Sequence, residues 1–554
     1  MQLGRLRQGR QLASQAEAVS GESHDGAGIV ARGGRSLALA TLCTLLFLTF
    51  LDNTVVSVAL GDVQTSLKAN VSDLQWVVGA YALTFASLML ACGMIGDELG
   101  RKKVMLAGVG VFCAGSVLSA LAPNPAVLIA GRAVMGMGAA ASEPGTLSML
   151  RHLYPEARAR SRAIGVWAGT SGFALAMGPV IGGVLTGVWS WRAIFWFNLV
   201  FGLAVLIVAA VILPESADPT AARVDTAGTL LGAGTLATFV FAIIDSESAG
   251  FGSAAVIILL CASVVLAVAF VWRERRAANP LLDLRYLRMP QFTTPNIVAL
   301  CTYFATFAIF FFTALYLVEV VQASGYRLAL VFLPMTALMI LASVLAGRWT
   351  AWVGPRWSIT IGCGLLAVGL FLADGYLKPH PSYLPLILAL ALAGIGIGTT
   401  VVPITSSVLS AVPAERSGMA ASATNTSREI GAVTGVAILG ALVNSQLQSS
   451  LVGRLKHLGI PPNFQSIVIH AIETGAVPSS GHSAGAGGAA GAGHASLVDQ
   501  VITAAYSAFY TGLRAALVLS AILVLAAGLV TLVLLRRGQG PGAAADVTET
   551  PGAP

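Results

Sequence analysis

The sequence predicts an all-α membrane protein of about fourteen transmembrane helices. The 554-residue chain is 56% hydrophobic and only 10% charged, and its mean hydropathy is +0.81. Its apolar residues fall in runs of roughly 20, the length that a bilayer of about 30 Å requires. These runs are continuous rather than alternating, which favours helices over the strands of a barrel. A helix also satisfies its own backbone groups, as a segment in hydrocarbon must.

Residues 1–35 are polar, carry Arg5, Arg7, Arg10, Arg32 and Arg35, and read as a disordered cytoplasmic tail. Spans are expected at 36–59, 74–95, 103–122, 126–149, 162–187, 192–213, 224–244, 253–272, 292–318, 327–347, 357–376, 383–408, 425–446 and 506–535. Between the last two, residues 447–500 include SSGHSAGAGGAAGAGHASL, a flexible extracytoplasmic loop. His482 and His494 flank that run, and a solvated linker accounts for them better than a metal site. A Pro/Gly-rich tail, 538–554, reads as disordered and cytoplasmic.

Basic residues orient this arrangement. With the N-terminus inside, 24 of the 32 lysines and arginines fall on the inner side and seven on the outer, with Arg132 inside a span. That asymmetry places both termini in the cytoplasm of a multi-pass cell-membrane protein. It also explains the net charge of +7 without a nucleic-acid partner. The six cysteines lie in or beside apolar runs with no metal-type or redox-type spacing, so they read as small hydrophobes.

One charged knot interrupts the apolar pattern. GMIGDELGRKKVML, residues 93–106, forms the turn between the second and third spans. Its glycines let two helix ends approach closely, and Asp97 can pair with a base or with a helix N-terminus. A solvated positive-inside loop is the plainer reading of such a turn. Other segments are equally distinctive. FLDNTVVSVAL sets Asp52 in the outer part of span one, and GRAVMGMGAA carries Arg132 inside span four. An arginine in lipid costs at least roughly 2.5–3.5 kcal/mol, so Arg132 should face the protein interior. AGTSGFALAMGPVIGGVL in span five holds Gly169, Gly172, Gly178, Pro179, Gly182 and Gly183, and close small-residue packing alone would account for it. AERSGMAASATNTSREIGAVTGVAILG has Arg428 and Glu429 at the start of span thirteen.

The spacing G-x-x-x-D-x-x-G-R-K-K resembles the loop signature of the major facilitator superfamily. Together with the other segments, and with GLRAALVLSA in the last span, the chain over 36–537 resembles the fourteen-span drug:proton antiporter family, the multidrug and antibiotic exporters. The resemblance implies the major facilitator fold. Two six-helix bundles, 36–213 and 292–535, would enclose a central cavity, with two extra helices at 224–272. Alternating access would rock one bundle against the other around a midplane site. Further, it implies that Gly93, Asp97, Gly100, Arg101 and Lys102 form a cytoplasmic latch between bundles. It associates Arg132 with proton coupling and the span-five glycines with export rather than import.

The chain departs from the family pattern in three places. Ala351 stands where a second latch would carry its acid, and Met135 lies near the usual glutamine position. Glu143 precedes Pro144 where an apolar residue is common. An acid at membrane depth suits proton carriage or attraction of a cationic substrate; it is also compatible with simple pairing to a polar neighbour.

The function implied is proton-coupled antiport, exporting amphipathic drugs or antibiotics across the cytoplasmic membrane, with Asp52, Arg132 and Glu143 as polar machinery. Its partners would be a small amphipathic substrate, protons and the lipid bilayer, and the chain would act as a monomer. No cofactor or metal is called for. G-x-x-x-x-G-K-[ST] is absent, which argues against ATP as the energy source. The histidines sit in tails and loops, so an intramembrane enzyme is not expected. A dedicated exporter of one metabolite or self-made antibiotic is the nearest alternative, and a non-transporting sensor the alternative of another class.

Overall fold

A computed structural model describes residues 32–216, 225–277, 280–321, 323, 325–377, 383–413, 417–457 and 491–535. Fourteen long helices follow one another: α1 (Arg32–Val55), α2 (Val71–Leu99), α3 (Arg101–Ala120), α4 (Pro125–Leu153), α5 (Ala157–Val188), α6 (Arg192–Ile212), α7 (Thr226–Ala249), α8 (Ala254–Arg276), α9 (Pro290–Glu319), α10 (Gly325–Val353), α11 (Pro355–Tyr376), α12 (Tyr383–Ser410), α13 (Ser417–His457) and α14 (Gly491–Leu534). A 3-10 turn, Val56–Ala59, and a short helix, Leu60–Leu67, prolong α1. Thirteen helices of the described residues are long and apolar enough to cross a bilayer, and α2, bent by 51° between Met89 and Ala91, raises the number to as many as fourteen.

The helices overrun several expected bounds. α1 begins at Arg32, inside the expected tail, and α13 begins at Ser417 rather than 425. The early turns of α13 are polar because they face protein: Ser422, Thr424 and Asn425 are all buried. Hydropathy registers what lipid tolerates and so misses polar turns that a neighbouring helix satisfies. α13 also runs on to His457, and α14 starts at Gly491, so both ends of the expected loop are helical. His494 lies in α14, while His482 and the rest of 458–490 fall outside the described residues. So do residues 1–31 and 536–554, which hold most of the two expected tails.

Two six-helix bundles, α1–α6 and α9–α14, are built alike. Gly108, Gly115, Gly131 and Gly138 bring α3 and α4 so close that an added Cβ would strike the opposite backbone. Gly362, Gly369 and Gly396 do the same for α11 and α12. Small residues give close helix contact where lipid supplies no hydrophobic drive for association. Two seams join the bundles. Along one, Gly172 of α5 meets Ser343 of α10, and Gly187 meets Tyr326. Along the other, Gly79 of α2 faces Val433 of α13, and Gly93 faces Ser422. The extra helices sit outside this second seam. Val240, Ile243 and Ile244 of α7 pack on Ala82 and Leu83 of α2 and on Val433, Ala437 and Ala441 of α13. α8 lies outermost, with 11% of its apolar stretch buried.

Two of the span-five glycines, Gly178 and Gly182, seat α5 on α1. A Cβ on Gly178 would meet the Thr54 hydroxyl and lie 2.9 Å from the Val55 nitrogen. That hydroxyl donates to the Leu175 carbonyl at 2.9 Å. Gly178→Ala is therefore expected to cost about 1–3 kcal/mol through overpacking. Thermal unfolding of the purified protein in detergent measures it; an unchanged midpoint would show that α1 and α5 part freely at this level.

Candidate transport site and cytoplasmic turn

α1 presents two neighbouring polar side chains, Asp52 and Asn53, to opposite sides of the interior. Asp52 is fully buried. It accepts from Arg132 Nη1 of α4 and from Asn198 Nδ2 of α6 at 2.6 Å. Arg132 in turn donates from Nε to the Val77 carbonyl at 3.0 Å, and its guanidinium lies 4.5 Å from the Tyr81 ring centroid. Tyr81 is held by its hydroxyl, which donates to the Thr49 carbonyl at 3.0 Å. This cluster is an ion pair braced by hydrogen bonds from both sides, all within the first bundle. Met135, near the usual glutamine position, places its sulfur 3.9 Å from Arg132 Nη1.

Asn53 turns the other way and crosses between bundles. Its Nδ2 donates to Glu429 Oε1 of α13 at 2.9 Å. A second crossing lies about one helical turn earlier on α13: Asn425 donates to Glu143 Oε1 of α4. Asn425 is itself fixed by Arg428, which donates from Nη1 to its Oδ1 at 3.0 Å. Arg428 also reaches Thr405 Oγ1 of α12 at 2.8 Å and stands 5.5 Å from the Tyr303 ring centroid of α9. Arg428, Glu429, Glu143 and Asn425 are all buried. Glu143 Oε2 and Glu429 Oε2 have no hydrogen-bond partner. Each acid thus has one oxygen tied to the opposite bundle and one left over.

One expected placement changes. Arg428 and Glu429, read as the start of a span, lie eleven and twelve residues inside α13, among the buried polar groups. Their placement at a span start follows from the polar residues before them, which the protein interior accommodates. Glu143, too far from Arg132 along α4 to pair with it, has its polar partner on another helix, at Asn425 of α13. The sequence reading missed Asn53, Asn198, Asn425 and Thr405. An asparagine inside an apolar run, as in FLDN and WFNL, was the available signal for Asn53 and Asn198; Asn425, in the polar stretch TNTS, had none.

The charged turn is built around Gly100, whose φ of +111° suits a residue without a side chain. A Cβ there would also come within 2.8 Å of Glu215 Oε1. Asp97 pairs with Arg101 across the turn at 2.7 Å. The acid at the helix N-terminus is Glu215, from the segment after α6. It accepts from the Lys102 backbone N–H at 3.1 Å, while the Arg101 N–H donates to the Ser216 carbonyl at 2.8 Å. An anion is favoured at that position. Gly93 carries the turn's contact to α13 through Ser422; Gly96 has no atom within 4 Å of where a Cβ would stand. At the second turn, a hydroxyl bond from Thr350 to Ser358 at 3.1 Å is found near Ala351. Of the span-five residues, Gly178 and Gly182 face α1, Gly172 faces α10, and a Cβ on Gly169 would meet nothing within 4 Å beyond its own helix. Pro179 lies inside α5, and Gly183 is buried.

Helices of this number, in two like bundles around buried inter-bundle acids, define a membrane transporter. A Major Facilitator Superfamily model matches residues 42–436, and the chain belongs to that superfamily, whose members are transporters rather than enzymes. It is 33% identical over 476 residues to multidrug resistance protein Stp of Mycobacterium tuberculosis, covering 86% of this chain and 87% of that protein. It is 34% identical over 410 residues to the methylenomycin A resistance protein of Bacillus subtilis, covering 73% and 87%. Its fold is similar to the crystal structure of a bacterial homolog of the human lysosomal transporter Spinster, with a TM-score of 0.61 at 16% identity over 91% and 97% of the two chains. Among the described residues, no group of three or more histidine, cysteine, aspartate or glutamate side chains is arranged to hold a metal ion.

Proposed function

We propose that the protein is a proton-coupled antiporter that exports small amphipathic drugs or antibiotics from the cytoplasm. The observation that carries this reading is the pair of crossings Asn53–Glu429 and Asn425–Glu143. Each ties a buried acid of one bundle to an amide of the other. A proton on either carboxyl removes a buried charge and makes its unpartnered oxygen a donor. Proton binding and release therefore act directly on the contacts that hold the bundles together, which is what coupling requires. Asp52 has the opposite character: its charge is matched by Arg132, and together they brace the first bundle. The moving units are 36–213 and 292–535, with 224–272 between them, both termini in the cytoplasm, and a monomer suffices. The resistance proteins named above support drugs or antibiotics as the substrate class.

Expression in an efflux-deficient bacterium tests this reading. Accumulation of a fluorescent amphipathic dye is expected to fall, and a protonophore to restore it. Efflux that withstands the protonophore and follows ATP would overturn it.

The turn at Asp97 supplies a second check. The Asp97–Arg101 pair is partly exposed, so its loss should move stability by only about 0.3–0.5 kcal/mol. Asp97→Asn is expected to leave expression normal and to lower efflux about tenfold, about 1.4 kcal/mol in the balance between conformations, more than loss of that pair alone would give, because the latch would lose its acid as well. Normal efflux would remove the latch from the mechanism.

A further inference from the structure

A cavity lies away from the Asp52 and Glu143 groups. It occupies about 280 Å³ between the extra helices and the two bundles. Ala86 of α2, Leu236 of α7, Phe270 of α8 and Ile430 of α13 supply apolar wall, and Asn296 and Thr426 supply polar points. The residues contributed by α7 and α9 include their first turns, and the segment between α8 and α9 contributes as well. With both termini inside, this is the level of the inner leaflet.

The polar groups here are unevenly satisfied. Asn296 is 7% exposed; its Nδ2 donates to the Phe292 carbonyl at 2.8 Å, but its Oδ1 has no partner. Thr426 Oγ1 is likewise buried and unpartnered. Glu274, near the end of α8, is buried. Its Oε2 accepts from the Leu282 N–H at 3.2 Å and its Oε1 has no partner. The carboxylate lies just behind the cavity wall at Gly228, where a Cβ would come within 2.9 Å of Oε1. The neighbouring base is shared: Arg273 makes a two-pronged bond of 2.9 and 3.0 Å to Asp225 and acts on Glu274 only through space. That guanidinium holds the Asp225 carboxyl below the usual carboxylate range. Two of the three orphan atoms are pure acceptors, and one belongs to a carboxylate. Buried acceptors without donors are costly, so an occupant that brings N–H groups and positive charge is favoured.

We infer that this cavity is a binding site for amphipathic amines entering from the inner leaflet, with the ammonium against Asn296 and Thr426, in the field of the Glu274 carboxylate behind Gly228, and the apolar body along α7 and α13. The inference rests on the export reading and names where a cationic substrate is first held. A phospholipid amine fits less well, since its phosphate would be drawn toward a buried carboxylate.

The test uses the full chain in phosphatidylcholine nanodiscs, with a diazirine-bearing alkylamine as photolabel and dansylcadaverine as competitor. Labelling is expected within 228–236, 267–271 or 423–430, and dansylcadaverine should suppress it. Thr426→Val and Asn296→Leu are each expected to weaken dansylcadaverine binding about tenfold, as loss of a hydrogen bond to a charged group would. Thr426→Val is nearly isosteric and guards against misfolding of the other variant. Labelling confined to helices around Asp52 and Glu143, equal labelling by an uncharged diazirine alkane, or displacement by added phosphatidylethanolamine would each overturn the site. Proton-dependent dye efflux without cavity labelling overturns this inference alone, whereas cavity labelling without efflux overturns the export reading alone.

Discussion

Replacing Arg132 with alanine is expected to abolish proton-dependent efflux and to destabilise the first bundle. The substitution leaves Asp52 buried with Asn198 as its remaining hydrogen-bond partner. Breaking a buried ion pair from one side costs about 3–5 kcal/mol, because the surviving charge keeps its desolvation penalty. The guanidinium over Tyr81 is lost as well. Arg132→Lys should retain part of both functions. It keeps a cation near Asp52 but cannot fork between that acid and the Val77 carbonyl, as Nη1 and Nε do now. The double variant Asp52→Ala, Arg132→Ala removes both charges and should recover most of the lost stability while remaining inactive. Thermal unfolding and dye efflux measured on all four proteins decide the matter. Full efflux by Arg132→Ala would reduce Arg132 to a packing residue.

Replacing Glu143 with glutamine should preserve folding and remove most export of cationic substrates. The Gln carbonyl can still accept from Asn425, so the crossing to α13 survives; what disappears is the ability to take and give up a proton. Efflux of a cationic substrate is expected to fall at least about tenfold, about 1.4 kcal/mol or more in the coupling between proton and bundle contact. Its dependence on external pH should flatten. A neutral substrate should lose less, since it does not draw on the negative charge. Glu429→Gln, which preserves the bond from Asn53, is the companion measurement. Unchanged pH profiles for both variants would leave these acids as structural bridges and return the proton to Asp52.

The residues of the opening charged knot show how far local pattern reaches. Asp97 and Arg101 are four residues apart, so their pairing was within range of a spacing argument. Glu215 was not, because it comes to Lys102 from 113 residues away, on a segment that spacing alone left unplaced. The same contrast separates Asp52 from Glu143. Both were legible as acids at membrane depth, where a charge without a purpose is too costly to persist. Their partners were a different matter: the bond from Asn425 to Glu143 spans 282 residues, and that from Asn53 to Glu429 spans 376.

By itself the sequence determined the approximate number of the spans and the residues unusual enough to need a role. Span length, run composition and loop charge are one-dimensional quantities, and a bilayer reads them one helix at a time. The tertiary structure decided which helix each buried polar group faces. It set Arg132 against Asp52 inside one bundle and Glu143 and Glu429 across the seam between two. It also drew α13 back to Ser417 by giving its polar turns partners within the protein. Helices in a membrane associate through close packing and shared hydrogen bonds rather than through burial of apolar surface. Those contacts join residues hundreds of positions apart, and hydropathy along the chain carries no record of them.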